Sequence, residues 1–162
     1  EKKGSLENIT IAYVGDAANN VAASLISAAG LVGVNLRIAA PEGYQPNLSQ
    51  LSLPGQADIV VTTNLAEAVQ GADVVYTDTW VSMGHEEEKE KRISAFAGFT
   101  VTEDLMKQAK REAIFMHDMP AYRGYEVEEA VIDGPQSVIY HQAENRLHAQ
   151  KGLLSWLFNY GN

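Results

Sequence analysis

The chain has 162 residues, 46% of them hydrophobic and 20% charged, and 12 Lys and Arg against 21 Asp and Glu leave a formal net charge of −9. A chain of this length forms one domain that buries about two thirds of the surface its unfolded form exposes. This composition excludes disorder, collagen-like repeats and coiled coil as descriptions of the whole. The acidic balance without a basic cluster argues against nucleic acid and anionic membrane as partners, and the absence of Cys excludes disulfides, thiolate metal sites and a cysteine nucleophile.

Ile9 to Val14 is a short apolar, β-rich run closed by Gly15, and Asn19 to Leu31 follows with small and apolar residues at helical spacing. Val34 to Ala40 is a second strand, ended by Pro41, after which Glu42 to Gln56 runs as the longest loop. Asp58 to Thr62 reads as a strand, Asn64 caps a short helix stopped by Gly71, and Asp73 to Thr77 is the next strand. Glu86 to Phe96 and Thr102 to Lys110 read as helices, and Ala113 to Met116 as a fifth strand. Ser137 to Tyr140 is a sixth apolar segment before a long amphipathic helix over Gln142 to Phe158. Apolar strands alternating with helices imply a doubly wound α/β domain, a Rossmann-like parallel sheet between two helical layers. Its opening residues carry no signal-peptide stretch, and no run of about eighteen apolar residues spans a bilayer, so a cytosolic chain is expected.

Ligands of such sheets bind beyond the carboxyl ends of the strands, so chemistry is sought in Gly15 to Asn20, Asp78 to Gly84, His117 to Pro120 and Glu144 to Arg146. A dinucleotide site needs Gly at the first, third and sixth positions of the first turn, where this chain has Gly15, Ala17 and Asn20, and no phosphate-cradling G-x-x-x-x-G-K-[ST] run exists. No nucleotide or other cofactor is therefore expected. One of Asn19 and Asn20 is needed as a helix cap, which leaves the other for the cleft. Asp78, Ser82 and Met83 place a carboxylate, a hydroxyl and backbone N–H groups in one loop, suited to an amino-acid head group, although an Asp followed by Ser is more often turn chemistry. His117 and Asp118 are adjacent, but consecutive side chains at a strand end diverge, which disfavours a dyad. Neither H-x-x-x-H nor H-E-x-x-H occurs, so no metal is expected. The charged run Glu86 to Arg92 reads as a solvated helix face.

Taken together, G-D-A-A-N-N-V (Gly15 to Val21), D-T-W-V-S-M-G-H-E (Asp78 to Glu86), M-H-D-M-P-A-Y-R-G (Met116 to Gly124), D-G-P-Q-S-V (from Asp133) and A-E-N-R-L-H-A-Q-K (to Lys151) resemble the second, amino-acid-binding domain of the ornithine carbamoyltransferases, in that family's order and over nearly the whole chain. The resemblance implies that Asn20, Asp78, Ser82 and Met83 hold the α-amino and α-carboxylate groups of ornithine. It implies that His117 and Arg146 reach carbamoyl phosphate, in a transfer to the side-chain amine that yields citrulline and phosphate. Asp118 stands at the third catalytic position.

Three departures accompany the resemblance. The family's other domain, which supplies most carbamoyl phosphate contacts and the main trimer interface, has no counterpart: neither S-x-R-T nor H-P-x-Q occurs in the 162 residues. The family's H-C-L-P is here His117-Asp118-Met119-Pro120, a carboxylate in place of the thiol beside the reacting amine. A carboxylate favours the ammonium form, whereas the attacking amine must be neutral. The segment Pro46 to Gln56 is short where the family places a longer helix, and the last helix ends in an apolar tail, with Leu153, Leu154, Leu157 and Phe158 on one stripe and Trp156 and Tyr160 beside it. The expectation is a single domain, residues 1 to 162, that binds ornithine or a similar amine-bearing amino acid, is inactive alone, and self-associates as a homodimer through its last helix unless that helix folds back over its own sheet. A redesigned scaffold, an excised fragment, or a subunit completed by a second chain are the alternatives.

Overall fold

The computed structural model describes residues 1–50, 57–81 and 86–160. Five strands, β1 (Thr10–Val14), β2 (Asn35–Ala39), β3 (Ile59–Thr62), β4 (Val74–Thr77) and β5 (Ile114–His117), form one sheet in the order β3-β2-β1-β4-β5, and every pairing is parallel. Each predicted strand is present to within a residue at either end. The register sets Val14 beside Thr77 and Thr77 beside His117, so β1, β4 and β5 end together.

The pleat sends alternate residues into two cores. Tyr13, Leu36 and Ile38 pack with Ala22, Ile26 and Ala29 of α1 (Asn20–Val32) on one face. On the other face Ala12, Val14, Val75 and Phe115 meet Ala68 and Val69 of α2 (Leu65–Val69), Leu105 and Met106 of α4 (Glu103–Met106), and Val131 and Ile132 of α5 (Glu129–Ile132). This is the three-layer, doubly wound α/β arrangement read from the sequence. Helix α1 is closed by Gly33, whose φ of 74° is the left-handed conformation a helix stop demands and whose N–H donates to the carbonyl of Ala29 at 2.9 Å. Thr102 caps α4 at the predicted helix start, accepting from the N–H of Leu105, but the helix spans one turn rather than reaching Lys110.

Two expectations need correction. Ser137 makes only a single parallel bridge to Phe115, and Ile139 and Tyr140 already belong to α6 (Ile139–Tyr160), so the sixth apolar segment is a helix start pinned to the sheet edge. The charged run is half right. Glu87 to Lys91 are exposed, but Arg92, in α3 (Lys89–Ala95), is buried. The last helix does not fold back: Ile139 is in the core, whereas residues 143 to 159 are exposed on every face, Trp156 and Phe158 included.

Candidate functional site

In the strand order β3-β2-β1-β4-β5 the chain leaves β1 toward β2 and returns at β4 to build outward on the other side. The loops that leave β1 and β4 therefore part, and a crevice opens above those two strand ends. The oxygen Oγ1 of Thr77 donates to the carbonyl of Val14 at 2.6 Å and locks the two ends together. Gly15 follows at φ 127°, a backbone conformation that L side chains rarely adopt, so the tight turn into the crevice requires glycine.

Asp78 sits at the centre of the crevice and is 5% exposed. Its Oδ1 accepts from the N–H of Thr79 at 2.6 Å, and its Oδ2 accepts from Nδ2 of Asn19 at 2.9 Å. Asn19 does two jobs with one amide: its oxygen caps α1 by accepting from the N–H of Ala22 at 2.8 Å, and its nitrogen orients Asp78. Asn20, the residue singled out from the sequence, begins α1 and is exposed beside this contact. Burial, and then the charge of Asp118, push Asp78 up to about 6.

His117 is fully buried at the end of β5. Its Nδ1 accepts from the N–H of Met119 at 2.9 Å, and its Nε2 lies 3.3 Å from Oε1 of Glu126, itself fully buried. The ring proton is thereby assigned to Nε2, facing Glu126. The backbone N–H of His117 donates to Oε1 of Gln142, whose Nε2 donates to the Tyr76 hydroxyl. As the sequence implied, His117 and Asp118 form no tight dyad: Nδ1 and Oδ1 are 3.8 Å apart. Asp118 is partly exposed, and its Oδ1 is buried without a hydrogen-bond partner.

Asp78, His117 and Asp118 nevertheless converge, with one ligand-type atom from each within 4.8 Å of the others. Two carboxylates and an imidazole are a donor set a cation accepts. Both imidazole nitrogens are already engaged, however, so a metal held by all three would have to displace Met119 or Glu126. Arg146 is exposed on the projecting part of α6 and is no member of this cluster. Ser82 and Met83 lie outside the described residues.

The neighbouring carboxylate at the same strand ends is fully paired. Asp16 forms a buried ion pair with Arg92, whose Nε also donates to the carbonyl of Trp80 at 2.6 Å and whose guanidinium lies over the rings of Tyr44 and Phe96. The sequence reading missed Asn19 as the orienting amide, and it missed Glu126, Gln142 and the Asp16–Arg92 pair altogether. Only Asn19 had left a trace, in the doubled Asn at a helix start.

A doubly wound sheet with a buried, oriented carboxylate at its switch point defines a small-ligand-binding α/β domain. Residues 7–157 match the model of the aspartate/ornithine carbamoyltransferase Asp/Orn binding domain, and the chain belongs to that family. It is 51% identical over 160 residues to an ornithine carbamoyltransferase of Caldicellulosiruptor saccharolyticus, covering 95% of this chain and 52% of that one. It is 52% identical over 163 residues to the enzyme of that name from Wolinella succinogenes, with 96% and 52% covered. The ornithine carbamoyltransferase from Pyrococcus furiosus superposes with a TM-score of 0.87 at 45% identity, over 95% of this chain and 51% of that structure. The chain thus spans about half the length of the relatives it matches. Among the described residues no helix is long and apolar enough to cross a membrane.

Proposed function

We propose that these 162 residues act as one amino-acid-binding domain that takes ornithine or a similar amine-bearing amino acid at the Asp78 crevice, and that they transfer no carbamoyl group on their own. The observation that carries the reading is Asp78: a carboxylate kept buried by an amide and a backbone N–H, at a switch point, in a chain matched to an Asp/Orn binding domain. Such a group is stabilised by an incoming ammonium. Inactivity follows from charge. A carbamoyl phosphate anion needs a cationic clamp, whereas the cluster offers two carboxylates, Arg92 is taken by Asp16, and Arg146 stands on the projecting helix. Titrating ornithine into the chain while recording amide shifts, with citrulline assayed in the same sample, tests both parts. Saturable shifts at the residues around Asp78 and Asp118 without citrulline are expected. Turnover that scales with chain concentration and vanishes in Arg146→Ala would overturn the second part, and an unresponsive spectrum the first.

We also propose that α6 is covered by a second copy of the chain. Tyr140, Ala143, Leu147, Gln150, Leu154 and Leu157 alternate by three and four residues, the spacing of a coiled-coil seam, and all are exposed. Charge selects the orientation. With Leu147 of one copy opposite Gln150 of the other, an antiparallel pair sets Glu144 beside Lys151 twice, whereas a parallel pair sets Arg146 beside Lys151. Sedimentation equilibrium should find a species of twice the 17.6 kDa chain mass, lost in Leu154→Glu and kept in Trp156→Glu, which lies off the seam. A chain that stays at its single mass at every concentration would remove this proposal.

A further inference from the structure

Helix α1 covers only part of the sheet face on which Tyr13 lies. Its Ala22, Ile26 and Ala29 pack there with Tyr13 of β1 and with Leu36 and Ile38 of β2. Toward the other edge the same face continues as Ile11, Val74 and Ile114, a row that the parallel register sets side by side on β1, β4 and β5, with Met116 one pleat further along β5. These four side chains floor a groove of about 430 Å³, walled by the first residues of the chain on one side and by the root of α6 on the other. Two contacts fix the first wall: Nδ2 of Asn145 donates to the Glu1 carboxylate at 3.0 Å, and Nζ of Lys3 donates to the carbonyl of Glu112. His141, Gln142 and Asn145, which border the groove, lie on the side of α6 away from Tyr140, Leu147 and Leu154, so the pairing of α6 proposed above leaves the groove open.

The volume is that of a small-molecule pocket. Its floor crosses three neighbouring strands, about 10 Å, the length of an extended chain of about eight carbons, and it offers that chain only aliphatic and thioether groups. Charge selects the head group. On a chain of net charge −9 the lining carries two Lys against one Glu, and that Glu is the residue held by Asn145. Lys3 is tied to a carbonyl, whereas Lys2 is exposed and makes no hydrogen bond or ion pair among the described residues. We propose that this groove is a second ligand site, separate from the Asp78 crevice, and that it takes a free aliphatic monocarboxylate of about eight carbons, its chain across Ile11, Val74 and Ile114 and its carboxylate on the Lys2 ammonium. Removal of the chain from water drives the binding, and the exposed ion pair sets the sign of the head group more than it adds affinity. The two carboxylates of the crevice repel the same anion, which keeps the two sites apart.

Titrating octanoate into the 162-residue chain while recording amide and methyl spectra locates the site, and a parallel titration with octylamine, the same chain under a positive head, reads the charge. Saturable shifts at Ile11, Val74, Ile114 and Met116 are expected, with octanoate held about fivefold more tightly than octylamine, the worth of one exposed ion pair. Lys2→Glu, a change at an exposed position, should bring that ratio to one or below. Ile11→Trp, which fills the groove, should abolish both titrations, and its amide spectrum shows whether it folds; if it does not, the ratio in Lys2→Glu decides. Equal binding of the two amphiphiles to the unaltered chain, a preference that survives Lys2→Glu, or shifts confined to residues 143 to 159 or to the surroundings of Asp78 would overturn the proposal. So would octanoate binding that disappears as the chain is concentrated, which would give the groove to a second copy. Ornithine is left out of every sample, so failure here leaves the amino-acid-binding reading standing.

Discussion

Asp16 and Asp78 stand one strand apart at the carboxyl edge of the same sheet, both about 5% exposed, and their surroundings are opposite. Asp16 faces a guanidinium that is itself stacked on two rings and tied to a backbone carbonyl. Asp78 faces another carboxylate, and its hydrogen bonds among the described residues come from neutral donors. A buried charge that is paired within the chain holds the fold together. One that is oriented but left with its own sign opposite is a cost the free chain carries and a ligand removes. Burial alone would not have told the two apart.

The largest effect that would break this comparison lies on the paired side. Arg92→Met leaves Asp16 buried without its cation and releases Trp80, so we expect a loss of about 3–5 kcal/mol in urea denaturation. A loss below about 1 kcal/mol would mean that water replaces the guanidinium and that the pair is no anchor. On the unpaired side the sign reverses. Asp78 holds its proton to about 6 in the folded chain, whereas an unfolded Asp releases it near 3.9. The folded state therefore binds more protons between those values, and stability falls as pH rises from about 4 to about 6 and then levels off. Asp78→Asn should abolish that slope and leave the chain about 2 kcal/mol more stable at pH 7, while losing ornithine. Denaturation series at pH 4, 5, 6 and 7 on both proteins would show it.

The contrast also explains what could be read from the chain beforehand. The five strands were legible as apolar runs, four of them closed by a Gly, Pro or Asp, and Asn64 announced its helix as a cap. The short helix Glu129–Ile132 was not, since four residues carry no period to detect. Asp78, His117 and Asp118 were legible as strand-end residues, because topology brings every strand end to one edge. Their partners were not: Arg92 is 76 residues from Asp16, and Glu126 reaches His117 from a loop nine residues on. Arg92 sits in a run of charges that reads as solvent-facing, and nothing in its neighbours marks the one member that turns inward over Tyr44 and Phe96.

A smaller effect would sharpen the geometry of the edge itself. At Gly15 the φ of 127° disfavours any side chain, beside the Thr77 hydroxyl that ties β1 to β4. Gly15→Ala should cost about 1–3 kcal/mol and weaken ornithine binding as well, because the same turn carries Asn19 to Asp78. An alanine that lowers stability without touching affinity would separate the strand lock from the crevice.

The last and smallest prediction concerns Gln142, the only side chain of α6 in contact with the end of β5 through a described hydrogen bond. Its Oε1 accepts from the backbone N–H of His117 at 3.0 Å and its Nε2 donates to the Tyr76 hydroxyl at 3.1 Å, so one amide joins the projecting helix to two strands. Gln142→Ala leaves a strand-end N–H and a phenol to find water, in a half-buried position where water can reach them, and about 1 kcal/mol is the expected loss. Gln142→Glu separates the two bonds. A carboxylate still accepts from both the N–H and the phenol, so the stability of the fold should change little at neutral pH. It also brings a further negative charge to the strand end that carries Asp118, which should tighten the binding of ornithine. A Gln142→Glu chain with an unchanged affinity for ornithine would show that the charge of α6 does not reach the carboxylate pair, and that the helix serves the sheet edge alone.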